Sequence, residues 1–280
     1  MYPDTLNIHD VQFGMAHPAP NYPAWQDTVP GVGGIVTGMD AIPTGYGFYI
    51  QMNVGAWTGI KVYTGGYNYK IAPFNVALGD SVVVYGRIQE SQNGTEIEGL
   101  DGVASTNDLV VRKVSSGNGL PPAYGGTCSI LKENWLNPNA EQWEGCLVGS
   151  GGPLRVARNS LTVGMGTFNS FLLVDNVACP PGSIGPCDSL FVDGTTLTTF
   201  APLSIGTTVY GVLGIYDQAT RGYRIQLRDV NDIMLTPTGV AGDAPLLFAL
   251  QGVRPNPALG EPLERALPTA RDGARPARVI

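Results

Sequence analysis

The 280-residue chain is only 14% charged, while its 38 glycines and 22 prolines make up more than a fifth of it. That balance excludes a helical bundle and favours many short strands joined by turns, and 43% hydrophobic residues exclude wholesale disorder. The net charge of −7 argues against nucleic-acid binding, which needs a basic footprint to release phosphate counterions. Outside residues 254–280, where five arginines stand against three acids, 11 basic and 20 acidic residues leave −9.

Residues 1–30 read as an extended N-terminal segment. Leu6–Phe13 is a short strand by composition, and Pro18, Pro20, Pro23 and Pro30 interrupt the stretch after it. Residues 31–113 read as a first small β domain with strands at Gly34–Thr37, Gly47–Met52, Gly59–Thr64 and Gly79–Glu90, then Gly94–Gly99 and a closing Asp108–Lys113. The hairpin at Gly79–Gly99 carries the clearest pattern. Val82, Val84 and Ile88 alternate with Val83, Tyr85 and Arg87, as a half-buried strand requires, and Gln92-Asn93-Gly94 suits a tight turn. At least five strands in about eighty residues are enough for a closed barrel of the OB type.

Residues 114–127 form a linker rich in Gly, Pro and Ser. Residues 128–235 read as a second β domain, with a short helix within Ile130–Trp143. Its strands fall at Ser160–Val163, Phe168–Asp175, Ser189–Asp193, Gly206–Ile215 and Gly222–Arg228. The two series correspond: Phe48 aligns with Phe171, Ile60 with Leu190, Gly79 with Gly206 and Ile97 with Ile225, each pair roughly 120–130 positions apart. The expected fold is all-β, two tandem OB-like small β-barrels. Residues 236–280 are a Pro/Arg-rich segment too short for a core of its own.

These patterns carry a resemblance. Gly34-Ile-Val-Thr, Gly47-Phe-Tyr-Ile-Gln, Gly59-Ile-Lys-Val-Tyr and Gly79-Asp-Ser-Val-Val-Val-Tyr-Gly resemble the OB-like domains found beside secreted bacterial endonucleases. Glu141-Gln-Trp-Glu-Gly-Cys-Leu-Val148 and Gly222–Ile233 do so in the second copy. The resemblance spans roughly residues 5–235 and brings no catalytic motif, because the nuclease activity of such proteins lies in a separate domain. Leu250–Gly260 resembles the opening of the immunoglobulin-like C-terminal sorting domains of some secreted bacterial proteins, in truncated form.

Cys179 and Cys187 bracket one Pro/Gly-rich loop, and Cys128 and Cys146 bracket another. Two local disulfides are the economical reading; neither pair has the Cys-x-x-Cys spacing of a four-cysteine metal site. Disulfides imply an oxidising compartment, hence a secreted or cell-surface protein. No stretch approaches the roughly 20 apolar residues of a membrane span. No secretory leader is visible after Met1, so an exported form would be a mature chain or a fragment.

Catalytic signals are weak. His9 and His17 lie in the N-terminal segment without metal-binding spacing, and no Gly-x-Ser-x-Gly elbow occurs. Gly31–Gly34 and Gly149–Gly152 are not followed by Gly-Lys-[Ser/Thr]. The carboxylates Glu96 and Glu98 share the polar side of a strand and read as a solvated edge, while Asp229/Asp232 and Asp188/Asp193 each fall short of a calcium ligand set. The expectation is a protein that is not an enzyme and has no cofactor or metal.

Two groups remain as binding candidates. Tyr49, Tyr63 and Tyr85 share the outer side of neighbouring strands, where they either stack bases or sugar rings or cover an interface with the second domain or another subunit; the interface reading is preferred. Arg221, Arg224 and Arg228 are the basic cluster of the body. They read as a candidate anion clamp, or as a solvated strand face paired with acids such as Asp229. The functional expectation is a non-catalytic extracellular β-protein that associates with other protein subunits as a homo-oligomer or polymer. Leu6–Phe13 or Leu246–Pro257 would add as a strand to a neighbour's sheet. The alternative is a nucleic-acid- or carbohydrate-binding module of a secreted nuclease system, disfavoured for nucleic acid by charge.

Overall fold

One long strand closes each of two barrels. In the computed structural model, which describes residues 6–40, 47–65, 74–91, 94–99, 109–132, 137, 139–163, 166–167, 170–181, 187–194, 203–219 and 222–236, β1 (Thr28–Asp40) pairs with both β2 (Gly47–Gln51) and β4 (Ser81–Ser91). With β3 (Gly59–Tyr63) and β5 (Gly94–Glu98), the order β1-β2-β3-β5-β4 returns to β1. β6 (Val110–Ser115) adds outside, on β4. Serving two partners requires β1 to bend, and its register shifts between Val29 and Val32 and again between Val36 and Gly38. The run Pro30-Gly31-Val32-Gly33-Gly34 lies inside this strand, so it extends well beyond the Gly34–Thr37 expected from sequence.

The second barrel repeats the arrangement. After the two-residue β7 (Tyr124–Gly125), β8 (Leu147–Arg158) is the long strand, followed by the small ladder of β9 (Thr162–Val163) and β10 (Gly166–Thr167). The barrel continues with β11 (Phe171–Asp175), β12 (Ser189–Asp193), β13 (Thr208–Ala219) and β14 (Gly222–Gln226), and β15 (Ile233–Met234) edges it. The order β8-β11-β12-β14-β13 closes through β13 on β8.

Register makes the duplication explicit. Val62 faces Ile97 across a parallel pair in the first barrel, as Val192 faces Ile225 in the second. Phe48 pairs with Val62, and Phe171 with Val192. Gly86 and Gly214 are equivalent too. A Cβ on either would stand 2.4 Å from the carbonyl oxygen of Glu98 or Gln226 respectively, so both strands need glycine there. Each barrel encloses its own core, Val36, Phe48, Ile50, Val84 and Ile97 in one and Val148, Phe171, Val192, Val212 and Ile225 in the other. Two closed five-stranded barrels in tandem establish the OB-like fold.

The N-terminal strand expectation is corrected. Residues Ile8–Ala16 form a helix, α1, capped by Asn7, whose Oδ1 accepts from Asp10 N at 2.7 Å. Ile8, Val11, Gln12 and Met15 follow the i, i+3, i+4, i+7 spacing of a helix face, which outweighs the local alternation. Ile8 and Val11 are fully buried in the first core, so this segment belongs to that barrel. Of the helix expected at Ile130–Trp143, the described residues show a 3-10 turn, η1 (Glu141–Trp143); a second, η2 (Val230–Asp232), precedes β15. Turn residues Gln92 and Asn93, and Asp108, lie outside the described residues.

Candidate functional site

The polar sides of the two barrels meet in a buried seam. Along β1, β2, β3 and β5 the outward positions Gly38, Asp40, Tyr49, Gln51, Lys61 and Glu96 face β8, β13 and β14 of the second barrel. Tyr49 is fully buried between Leu147 and Ile215, and its hydroxyl donates to Gln226 Oε1 at 3.3 Å. Gln226 Nε2 donates in turn to the Met39 carbonyl at 3.2 Å. Leu147 N donates to Gln51 Oε1 at 2.8 Å, Trp57 N to the Gln142 carbonyl at 2.6 Å, and Thr95 N to Glu144 Oε1 at 2.7 Å. Main chains touch as well: a Cβ on Gly59 would sit 2.2 Å from the Gly145 carbonyl carbon, and one on Gly38 would sit 2.4 Å from Ile215 Cγ1.

Charges are concentrated in the same seam. Lys61 Nζ lies 2.9 Å from Asp40 Oδ2 and 3.9 Å from Glu96 Oε2. Arg224 places Nη1 2.5 Å from Asp193 Oδ2 and Nη2 2.7 Å from Asp217 Oδ2. Four carboxylates therefore share two cations. Burial, only partly offset by Lys61, pushes Glu96 up to about 7. Burial works to lower the Lys61 ammonium, but Asp40, then Asp217 from the opposite barrel and Glu96, hold it above its ordinary value. Burial raises Tyr49, with Asp217 and Asp40 adding to the effect.

The three tyrosines do not form one platform. Tyr49 is buried in the seam, whereas Tyr85 is half-buried beside Gly31, where a Cβ would lie 3.2 Å from its ring. Tyr49 is opposite Gly38, so seven residues of β1, roughly 23 Å of extended chain, separate the two. Tyr63 is half-buried, two residues beyond Lys61 on β3 and paired with Gly47.

The arginine cluster is corrected on two counts. Arg224 is 5% exposed and neutralised by two carboxylates, so it is neither a free anion clamp nor on a solvated face. Arg228 pairs with Asp232 at 2.7 Å, while Asp229, the partner expected from sequence, caps η2 by accepting from Asn231 N. Arg221 lies outside the described residues. Glu98 is bound by Arg87 at 2.7 Å and Asp188 by Lys132 at 3.2 Å. Among the described residues no three His, Cys, Asp or Glu side chains gather in metal-binding geometry, and no helix is long and apolar enough to cross a membrane.

Cys179 and Cys187 form a disulfide, but the expected Cys128–Cys146 bridge is absent: both are free and buried. Both belong to the second core, and Cys146 also reaches the seam, 3.7 Å from Thr58 Oγ1. Burial pushes Cys146 up to about 11 and Cys128 up to about 12, so neither thiolate forms near neutral pH. A thiol-specific reagent is therefore expected to label two cysteines per chain in denaturant and none in the native protein.

The histidines take part in an aromatic cluster that fixes α1 to the β2–β3 hairpin. Phe13 is at its centre, 5.2 Å from His9, 4.4 Å from His17, 5.5 Å from Tyr22 and 5.7 Å from Trp57, between ring centroids. Trp57 adopts φ +64, a left-handed conformation held by its bond to Gln142 across the seam.

No protein-family model matches the chain, and no curated protein matches it in sequence. Among solved structures it is similar to the tetrameric p202 HIN2 at 12% identity and a TM-score of 0.28, covering 72% of this chain and 89% of that one. The OB-like assignment rests on strand order and register.

Proposed function

We propose that this protein is a non-catalytic, exported subunit that works by associating with other copies of itself. The observation that carries the reading is the edge strand β6. It is hydrogen-bonded to β4 on one side and, among the described residues, to no strand on the other. Val110 and Val114 of β6 are 51% and 43% exposed. An uncovered edge with apolar side chains is a template for an incoming strand. The disulfide supports an oxidising compartment.

Of the two strand donors read from sequence, Leu6–Phe13 is committed to α1 and the first core. Leu246–Pro257 remains, outside the described residues, with Leu246-Leu-Phe-Ala-Leu250 as its apolar run. Adding it to β6 of another copy is a head-to-tail contact, which propagates into a fibre unless the rotation closes a ring. Light scattering on the full chain should then show oligomers. Val110→Lys together with Val114→Lys, or deletion of residues 240–280, should return monomers. A monomeric wild type at high concentration, or oligomers unaffected by both changes, would sink the proposal.

A further inference from the structure

We infer that Glu144 keeps a bound proton in the seam where an ordinary carboxyl would have lost it, and that this proton secures the joint between the barrels. The carboxyl belongs to the second barrel's approach but reaches into the first. Its Oε1 accepts from Thr95 N of β5, and the side chain is 3% exposed. Its other oxygen, Oε2, is buried with no hydrogen-bond partner. On β13, Gln218 Oε1 is a second buried acceptor without a donor. Gly94 touches both side chains: a Cβ there would stand 3.3 Å from Glu144 Oε1 and 3.8 Å from Gln218 Cβ. A desolvated carboxylate oxygen without a donor is costly, and a proton on Glu144 converts that oxygen from a stranded acceptor into a donor.

The surroundings favour that proton from every side. Glu90 of β4 accepts from Thr95 Oγ1, Glu141 of η1 accepts from Tyr223 of β14, and Asp217 of β13 is held by Arg224. From α1 comes only the neutral Gln12, with its Nε2 3.5 Å from the Glu144 carbonyl. No ion pair to Glu144 forms among the described residues, since Lys61 and Arg224 are engaged by Asp40 and by Asp193 and Asp217. Burial first, then Glu141, Asp217 and Glu90, raise the carboxyl well above the ordinary carboxylate range.

A group whose folded value is raised stabilises the fold at low pH. That stability is lost as pH climbs from the ordinary carboxylate value through the folded one. Ionising Glu144 would add a fourth negative charge beside Glu90, Glu141 and Asp217, and the seam would loosen on the alkaline side.

Carbon-13 NMR of the full chain labelled at glutamate Cδ tests this directly. The signal missing in Glu144→Gln is Glu144, and the one missing in Glu96→Gln is Glu96. Glu144 should keep the protonated-carboxyl shift well above the pH at which an ordinary glutamate loses its proton. Glu144→Gln, which retains the acceptor for Thr95 and adds a permanent donor, should weaken the fall in melting temperature between pH 5 and 8. A Glu144 signal that titrates near the ordinary value of about 4.3 overturns the inference. Should Glu144→Gln fail to fold, Glu141→Gln removes the first of the neighbouring charges and should shift another glutamate midpoint downward; no shift in any of them also overturns it.

Discussion

Arg224→Ala is expected to destabilise the second barrel by roughly 3–5 kcal/mol, a large part of a domain's total stability. The guanidinium is 5% exposed and clamps Asp193, itself fully buried, against Asp217. Removing it leaves two desolvated carboxylates facing one another, with Asp40 and Glu96 close by across the seam. The cost arises from that uncompensated charge more than from the lost bonds. Two comparisons isolate the cause. Lys132→Ala breaks the exposed pair with Asp188 and should cost about 0–1 kcal/mol. Adding Asp193→Asn and Asp217→Asn to Arg224→Met should recover most of the loss. Urea unfolding followed separately for each barrel reads all three, because a tandem of domains need not unfold in one step. If Arg224→Ala is no worse than Lys132→Ala, the trio contributes nothing to the fold.

The barrels were legible because their cores obey period two. Val82, Val84 and Ile88 alternate along β4, and the order of Phe48, Ile60 and Ile97 recurs in Phe171, Leu190 and Ile225. The closing strands were harder to read. In β8, where no strand was expected, the run Gly149-Ser-Gly-Gly-Pro153 lets the chain bend between β13 and β11. A Cβ on Gly152 would stand 2.5 Å from the Val209 carbonyl oxygen. Composition marks such residues as turns; only closure of the barrel makes them strand.

Of the seam only Tyr49 was legible, as a ring expected to cover an interface. Asp40, Gln51, Glu96, Asp217, Arg224 and Gln226 occupy the polar side of their strands, which alternation assigns to solvent. What buries them is a second copy of the same barrel about 130 residues away, and no local pattern encodes that. One trace exists in hindsight. Because Ile97 corresponds to Ile225, Glu96 corresponds to Arg224, so the equivalent position carries opposite charge in the two copies. The cysteine expectation failed for a related reason: loop spacing sets which cysteines are near in sequence, whereas the fold buries both in the second core unbridged and brings Cys146 against Thr58 of the first barrel.

Gly59→Ala is expected to open the seam while leaving both barrels closed. The added methyl would lie 2.2 Å from the Gly145 carbonyl carbon and 2.4 Å from Cys146 N. These are main-chain atoms, so no rotamer change relieves the clash. Gly145 is itself at φ +72, where few other residues settle, and cannot easily give way. Overpacking ordinarily costs about 1–3 kcal/mol, and a backbone neighbour puts this case at the upper end or beyond. The damage should be local to the joint. The Leu147 amide, bonded to Gln51, should lose exchange protection, and Cys146, packed against Thr58, should become reactive to a thiol reagent. Phe48 and Ile225, inside their separate cores, should keep theirs. Gly125→Ala is the matched control, since a Cβ there meets nothing within 4 Å, and it should fall within about 0.5 kcal/mol of wild type. If Gly59→Ala melts with the wild type and Cys146 stays protected, the barrels are not held by this contact. If both cores lose protection together, the joint and the barrels are one cooperative unit, and the polar seam acts as a shared core.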